Sequence, residues 1–189
     1  MKKYVILDLE WTSWKGNHRD GDCILLQKRK DWQKKEIIQI GAIKFDENYK
    51  IVDSLNIYVK PIFNPILGDY IKKLTGISQE KLEKKGTTFA KSYKIIKKFC
   101  KNTKVFSNGD DGLVMKINLN YNRIKDKKLK IKNIKKILNK KYKIPNKFLP
   151  SPIIHTFFGY KLEKSEMHSA IHDSHNVLKV LKKTKFSLV

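Results

Sequence analysis

Acidic residues are scarce in this chain. Its 189 residues hold 18 Asp plus Glu against 42 Lys plus Arg, for a formal charge of +24. Cysteine is scarcer: Cys23 and Cys100 are the only two, which excludes a disulfide framework and a Cys-rich zinc site. Long apolar runs are missing as well. None approaches the roughly 20 residues that span a bilayer, so no membrane partner is expected. The opening Tyr4-Val5-Ile6-Leu7 mimics a secretory leader, but Asp8 and Glu10 interrupt it. A reducing cytoplasm is the expected compartment. Internal repeats and linker-like stretches are absent, and the length suits one domain.

What is present starts with the charge. A large basic excess points to a polyanion, most often nucleic acid. The excess is almost all Lys, accompanied by many Asn and Ile, the residues that AT-rich codons favour. It therefore fits a nucleic-acid binder or a Lys-rich surface inherited from base composition. Only a site can decide between them. Hydrophobic residues make up 40% of the chain, enough for a folded core rather than a disordered coil.

The apolar pattern predicts strands first, then alternating helices and strands. Tyr4 to Leu9 reads as a buried strand, Glu36 to Phe45 as a second and Ile51 to Val59 as a third. Residues 12–34 read as a long polar loop, of the kind that is functional or mobile. Helices are expected over Gly68 to Leu74, after an N-cap at Ser78, and over Phe89 to Cys100. Lys104 to Ser107 forms a short strand, and a turn at Gly109-Asp110-Asp111-Gly112 leads into a helix near Leu113 to Ile117. Ile134, Ile137 and Leu138 mark the apolar stripe of a very basic helix. Further helices are expected near Ile154 to Phe158 and from Ala170 to Lys183. The fold class is α/β, a mixed β-sheet flanked by α-helices.

In so basic a chain, carboxylates inside apolar elements are informative. Asp8 and Glu10 are two apart on one strand and so project from the same face. Like charges held that close require a cation, and oxygen ligands suit a hard ion such as Mg²⁺ or Mn²⁺; the alternative is a solvated strand end. The Asp110-Asp111 doublet between glycines is either a turn or a second acidic point. Asp173 shares a helical stripe with Val177 and Val180, where a carboxylate must be paired, hydrogen-bonded or on a metal. His168 lies just before that helix.

Together, Asp8-Leu9-Glu10, an Asp after a later strand and His168-x₄-Asp173 resemble the DEDDh family of DnaQ-like 3′–5′ exonucleases. Glu36-Ile37-Ile38-Gln39-Ile40-Gly41-Ala42, Lys60-Pro61, Asn64-Pro65 and Leu74-Thr75-Gly76-Ile77 are similar to the branch holding KapD and the histone-mRNA and small-RNA 3′ exonucleases. The resemblance implies one ribonuclease H-like exonuclease domain over residues 1–189, acting alone with no evident protein partner. It implies two divalent metal ions, Mg²⁺ or Mn²⁺, on Asp8, Glu10, Asp173 and one of Asp110 or Asp111. Met115 four residues on favours Asp111; a one-residue shift would exchange it for Asp110.

His168 would be the general base, and Glu10 would also orient the water. The substrate would be the 3′ end of single-stranded RNA or DNA, with RNA favoured by the branch, and the product a nucleoside 5′-monophosphate. Leu9, Trp11, Thr12, Leu74 and Ile77 would shape the terminal-nucleotide pocket. Trp11 could equally be packing, and Leu74 and Ile77 could close a helix end. Trp14 and Trp32 could touch the strand. Lys125 to Lys147, with eleven Lys and one Asp, could hold the backbone or be a solvated face. His155 reads as structural, His172 and His175 as surface or supporting residues. The chain departs from the family before the acids, where Ser107-Asn108-Gly109 stands instead of an aromatic pattern. The rival readings are a catalytically silent nucleic-acid-binding module of the same fold and a ribonuclease H-type endonuclease.

Overall fold

The sheet is built around a strand that is buried on both faces. In this computed structural model, which describes residues 2–14, 33–126, 129–162 and 168–188, β1 (Lys3–Trp11) runs through the centre. It pairs antiparallel with β2 (Ile37–Asp46) and parallel with β4 (Lys104–Ser107). β3 (Ile51–Tyr58) adds antiparallel to β2, and β5 (Ile131–Asn133) adds parallel to β4. The order is β3-β2-β1-β4-β5, a mixed sheet among the described residues. Among the described residues seven α-helices flank it: α1 (Asp69–Thr75), α2 (Gln79–Lys85), α3 (Phe89–Phe99), α4 (Asp111–Tyr121), α5 (Lys135–Tyr142), α6 (Ile154–Phe157) and α7 (Ala170–Lys183). None of them is long and apolar enough to cross a membrane.

The alternation along β1 divides the core. Tyr4 and Ile6 point to one face, with Phe45, Phe106, Leu138 of α5 and Val177, Val180 and Leu181 of α7. Val5, Leu7 and Leu9 point to the other, with Tyr93 and Ile96 of α3 and Val114, Met115 and Leu119 of α4. Asp8 and Glu10 continue the Tyr4–Ile6 series and therefore face α7. β1 and β4 run parallel, so their C-terminal ends lie side by side. Open sheets place ligand sites at such ends.

Two polar devices fix the loops around these ends. Buried Asn118 of α4 accepts from Ile37 N–H (3.0 Å) and donates to Lys35 C=O (2.9 Å), holding the entry to β2. Glu36, also buried, accepts from the N–H groups of Ile62, Phe63 and Asn64 and from the Asn64 amide at 2.6–3.2 Å. One carboxylate thus folds the whole Pro61-to-Asn64 turn. Glu36→Gln turns an amide NH₂ toward these donors, and hydrogen bonds to charged groups contribute about 1.5–3 kcal/mol. Thermal denaturation of that variant is expected to show a loss of about 2 kcal/mol. An unchanged melting temperature would sink the anchor role.

Most expected elements lie within a residue or two of their predicted bounds. Ser78 caps α2 by accepting from Lys81 N–H. β5 is unexpected: three residues among lysines carry no alternation, and its pairing with β4 comes from the sheet edge. Ile137 is a correction. The buried stripe of α5 consists of Ile134 and Leu138, while Ile137 is 39% exposed on the outward face. Most of the loop over residues 12–34, with Trp32 and Cys23, lies outside the described residues.

Candidate active site

Four carboxylates from three elements converge at the ends of β1 and β4. Asp8 and Glu10 come from β1, Asp111 from the first turn of α4 and Asp173 from the first turn of α7; each is 8% exposed or less. At each, a neighbouring carboxylate adds to the effect of burial. Burial first, then Asp111, Asp173 and Glu10, hold the Asp8 carboxyl well above the usual carboxylate range, while a Ser151 hydroxyl bond opposes this. Burial, Asp173 and Asp111 raise Glu10 in the same way. Burial, with Asp111 beside it, pushes Asp173 up to about 8. Asp111 rises to about 6, chiefly by burial. Its rise is moderated by the Ser107 hydroxyl, by its own N–H and by Leu9 N–H, which donates to Oδ1 at 3.1 Å. The partial positive charge of the α4 N-terminus acts in the same sense.

Asp110 does not join this convergence, although its charge adds to the rise at Asp111. It is exposed, and its Oδ1 accepts from the Asn133 amide at 3.4 Å. Between the two adjacent acids, the helix start decides: Asp111, the first helical residue, turns inward under β1.

His168 completes the group. A ring nitrogen of His168 and carboxylate oxygens of Glu10 and Asp173 all lie within 4.8 Å of one another. His168 has φ 57°, a left-handed conformation that costs a side-chain-bearing residue about 1 kcal/mol. Such strain persists where surrounding contacts hold it, and α7 supplies them. Gln39 of β2 accepts from Ala170 N–H (3.1 Å), an otherwise unpaired N–H of the helix start. Ser174 donates to Gly41 C=O (3.2 Å). Gly41 lies so close under α7 that a Cβ there would sit 2.2 Å from backbone atoms of Ala170 and Ile171.

The donor set fits a metal. Among the described residues no Lys or Arg forms an ion pair with any of the four acids, although the chain carries +24. Asp173 Oδ1 is buried without a hydrogen-bond donor. An oxygen-rich, anionic cluster with an unsatisfied ligand atom suits a hard divalent cation.

The remaining expected pocket residues divide. Trp11 is half-buried just past a register shift after Glu10, with Lys35 Nζ 5.7 Å from its ring centre. Thr12 is buried and accepts from Glu36 N–H while donating to Lys34 C=O. Leu9 packs in the α3–α4 core. Ile77 is buried with Ile38, Leu67, Ile71 and Leu82, and Leu74 packs against that group. Buried His155 meets Lys161 C=O at 3.0 Å, and the His172 and His175 rings lie 6.5 Å apart on α7. Ser107, Ser151, Gln39 and Gly41 support the site without having been expected to. Of these, Gln39 and Gly41 fall in the Glu36–Ala42 motif, and Gly41, a glycine inside an apolar strand, marks close backbone approach.

A family model for exonucleases (RNase_T) matches residues 5–181. The chain belongs to the DEDDh 3′–5′ exonuclease family. Over 50 residues it is 46% identical to the 3′-5′ exonuclease eri1 of Schizosaccharomyces pombe, a stretch covering 26% of this chain and only 17% of that protein. The DEDDh fold extends further. The nuclease domain of 3′hExo, a DEDDh family member bound to rAMP, superposes with a TM-score of 0.79 at 22% identity, over 97% of this chain and 92% of that one. Escherichia coli exonuclease I in complex with a dA16 oligonucleotide gives 0.70 at 13% identity, over 100% of this chain and 41% of that one. These likenesses identify the sheet as ribonuclease H-like. DEDDh exonucleases depend on divalent metal, in keeping with the carboxylate cluster.

Proposed function

We propose that this chain is a metal-dependent 3′–5′ exonuclease that releases nucleoside 5′-monophosphates from single-stranded nucleic acid, with RNA favoured over DNA. The observation that carries the proposal is the burial of four mutually repelling carboxylates beside His168, with no Lys or Arg paired to them among the described residues. Asp8, Glu10, Asp111 and Asp173 would hold two Mg²⁺ or Mn²⁺ ions. When bound, such ions polarise the phosphoryl oxygens and lower the pKa of water.

The chain's own groups do the rest. His168 takes the proton of the attacking water, a task suited to an imidazole that titrates near neutrality. Glu10, close to His168, orients that water. The Leu9 N–H, Ser107 and Ser151 hold Asp111 and Asp8 in place. Trp11 offers a ring for the terminal base. Residues 1–189 act as one exonuclease domain, and the free, buried Cys100 suits a reducing cytoplasm.

The test digests 5′-labelled RNA and DNA of equal sequence side by side, with Mg²⁺, Mn²⁺ or chelator. A ladder shrinking from the 3′ end, present only with metal and faster on RNA, is expected. Internal fragments would assign an endonuclease instead, and no product with either metal would leave a binding module. His168→Ala is expected to reduce single-turnover cleavage by about 10²–10⁴-fold while oligomer binding stays within a few-fold. Cleavage at the unaltered rate would remove His168 from the chemistry.

A further inference from the structure

The outward face of α5 carries a feature that the carboxylate site does not use. Lys136, Ile137, Lys140 and Lys141 line one shallow depression of about 470 Å³. Its floor is the exposed Ile137. Lys136 and Lys140 are four apart on the helix and so are neighbours, a like-charge arrangement that weakens a helix unless something anionic lies over it. Some lysines are offset locally, as Lys72 is by Asp69 on α1 and Lys84 by Glu80 on α2, while Lys94 and Lys98 on α3 are not among the described residues so paired. On α5, none of these lysines has a carboxylate partner among the described residues.

The start of α5 is tied to the site. Asn133, at the end of β5, donates to Asp110, the neighbour of Asp111. Ile134 N–H donates to Ser107 C=O at 2.9 Å, joining the start of α5 to the strand that leads to the acids. The depression starts three residues after Asn133, and Lys136 to Lys141 span about 7.5 Å of the helix axis at 1.5 Å per residue. Exposed Lys130 and Lys132 flank this path.

We propose that this face is a second nucleic-acid contact, in which Lys136, Lys140 and Lys141 hold the phosphate backbone of the substrate strand upstream of its 3′ end. The proposal rests on the nuclease reading above and adds a located surface to it. The apolar floor and cationic rim suit a nucleotide, whose base needs apolar contact and whose phosphates need charge. Position along one strand separates this contact from the site: a short substrate reaches the carboxylates alone, and a long one reaches both.

The experiment compares the unaltered protein with Lys136→Gln/Lys140→Gln/Lys141→Gln and with a control, Lys91→Gln/Lys94→Gln/Lys98→Gln, which removes three exposed lysines of α3. Substrates are a 15-nucleotide single strand and a nitrophenyl ester of a nucleoside 5′-monophosphate. The α5 variant is expected to raise KM for the 15-mer about tenfold and leave ester hydrolysis within twofold. Its dependence of log affinity on log salt should flatten by roughly 2, about 0.7 for each phosphate that is no longer neutralised. The control should match the unaltered protein. Equal weakening by both variants would mean net charge alone, and would overturn the proposal. So would loss of ester hydrolysis in the α5 variant, or an unchanged 15-mer KM. If the unaltered protein hydrolyses neither substrate, the nuclease reading fails. Fluorescence anisotropy with the 15-mer then still reads the α5 face, with the same tenfold weakening expected and unchanged binding overturning it.

Discussion

Asp8→Asn is expected to make the metal-free protein melt roughly 4–8 °C higher and to lower its turnover with metal by about a thousandfold or more. Both effects have one cause. Asp8 is buried against Asp111, Asp173 and Glu10, which hold its carboxyl well above the usual range. An amide of the same shape keeps an oxygen for the Ser151 hydroxyl but carries no charge to repel them. Relief of about 2 kcal/mol corresponds to that rise in Tm for a chain of this size. The lost turnover, about 4 kcal/mol in the barrier, follows from removing an anionic ligand.

The pH dependence gives a second reading of the same effect. Asp111 and Asp173 titrate near 3.8 when unfolded but are pushed up to about 6 and about 8 in the fold. The metal-free fold therefore binds more protons than the unfolded chain between those values, and these groups make it less stable as pH rises from about 4 to about 8. Melting curves with chelator at pH 5 and pH 8 should diverge, and added Mg²⁺ or Mn²⁺ should close the gap. A variant that melts lower than the parent at pH 8 in chelator would contradict the repulsion argument.

Gly41→Ala is expected to cost about 3 kcal/mol and to lower nuclease activity by about 10²-fold. The added Cβ would sit 2.2 Å from the backbone of Ala170 and Ile171. Backbone cannot move aside as the end of a side chain can, so α7 must lift from β2. Overpacking of this kind typically costs about 1–3 kcal/mol, and its upper end is a fall of roughly 6–12 °C in Tm. Activity suffers beyond stability because α7 carries Asp173 and follows directly on His168. A shift of about 1 Å in reacting groups can cost about 10²-fold. Metal binding by calorimetry separates the two: a folded variant at low temperature should still bind metal more weakly. Unaltered Tm and activity would show that α7 does not rest on this glycine.

The strands and most helices were legible because their chemistry is local: β-branched runs, a Ser78 cap and a stripe at Val177 and Val180. The acids were legible because charge inside apolar elements is costly and so stands out. Asp110 and Asp111 could not be separated from sequence, since their difference is which one begins α4 and turns under β1. β5 escaped because a short basic segment takes its structure from the sheet edge, and the exposure of Ile137 escaped because Ile134 and Leu138 alone turn α5 toward the core. The supports at Ser151 and Gln39 join distant parts of the chain, and no spacing rule announces them.

The place of α7 in chain order has a consequence for synthesis. A chain made from its N-terminus produces Asp8, Glu10 and Asp111 well before Asp173 and the His168 turn. The clamp at Gln39 and Gly41 is then waiting for a partner not yet made. Until α7 emerges and docks, three carboxylates lack Asp173 and the His168 imidazole beside them. Under the proposed mechanism, the nascent chain would then stay inactive as a nuclease until its last helix docks.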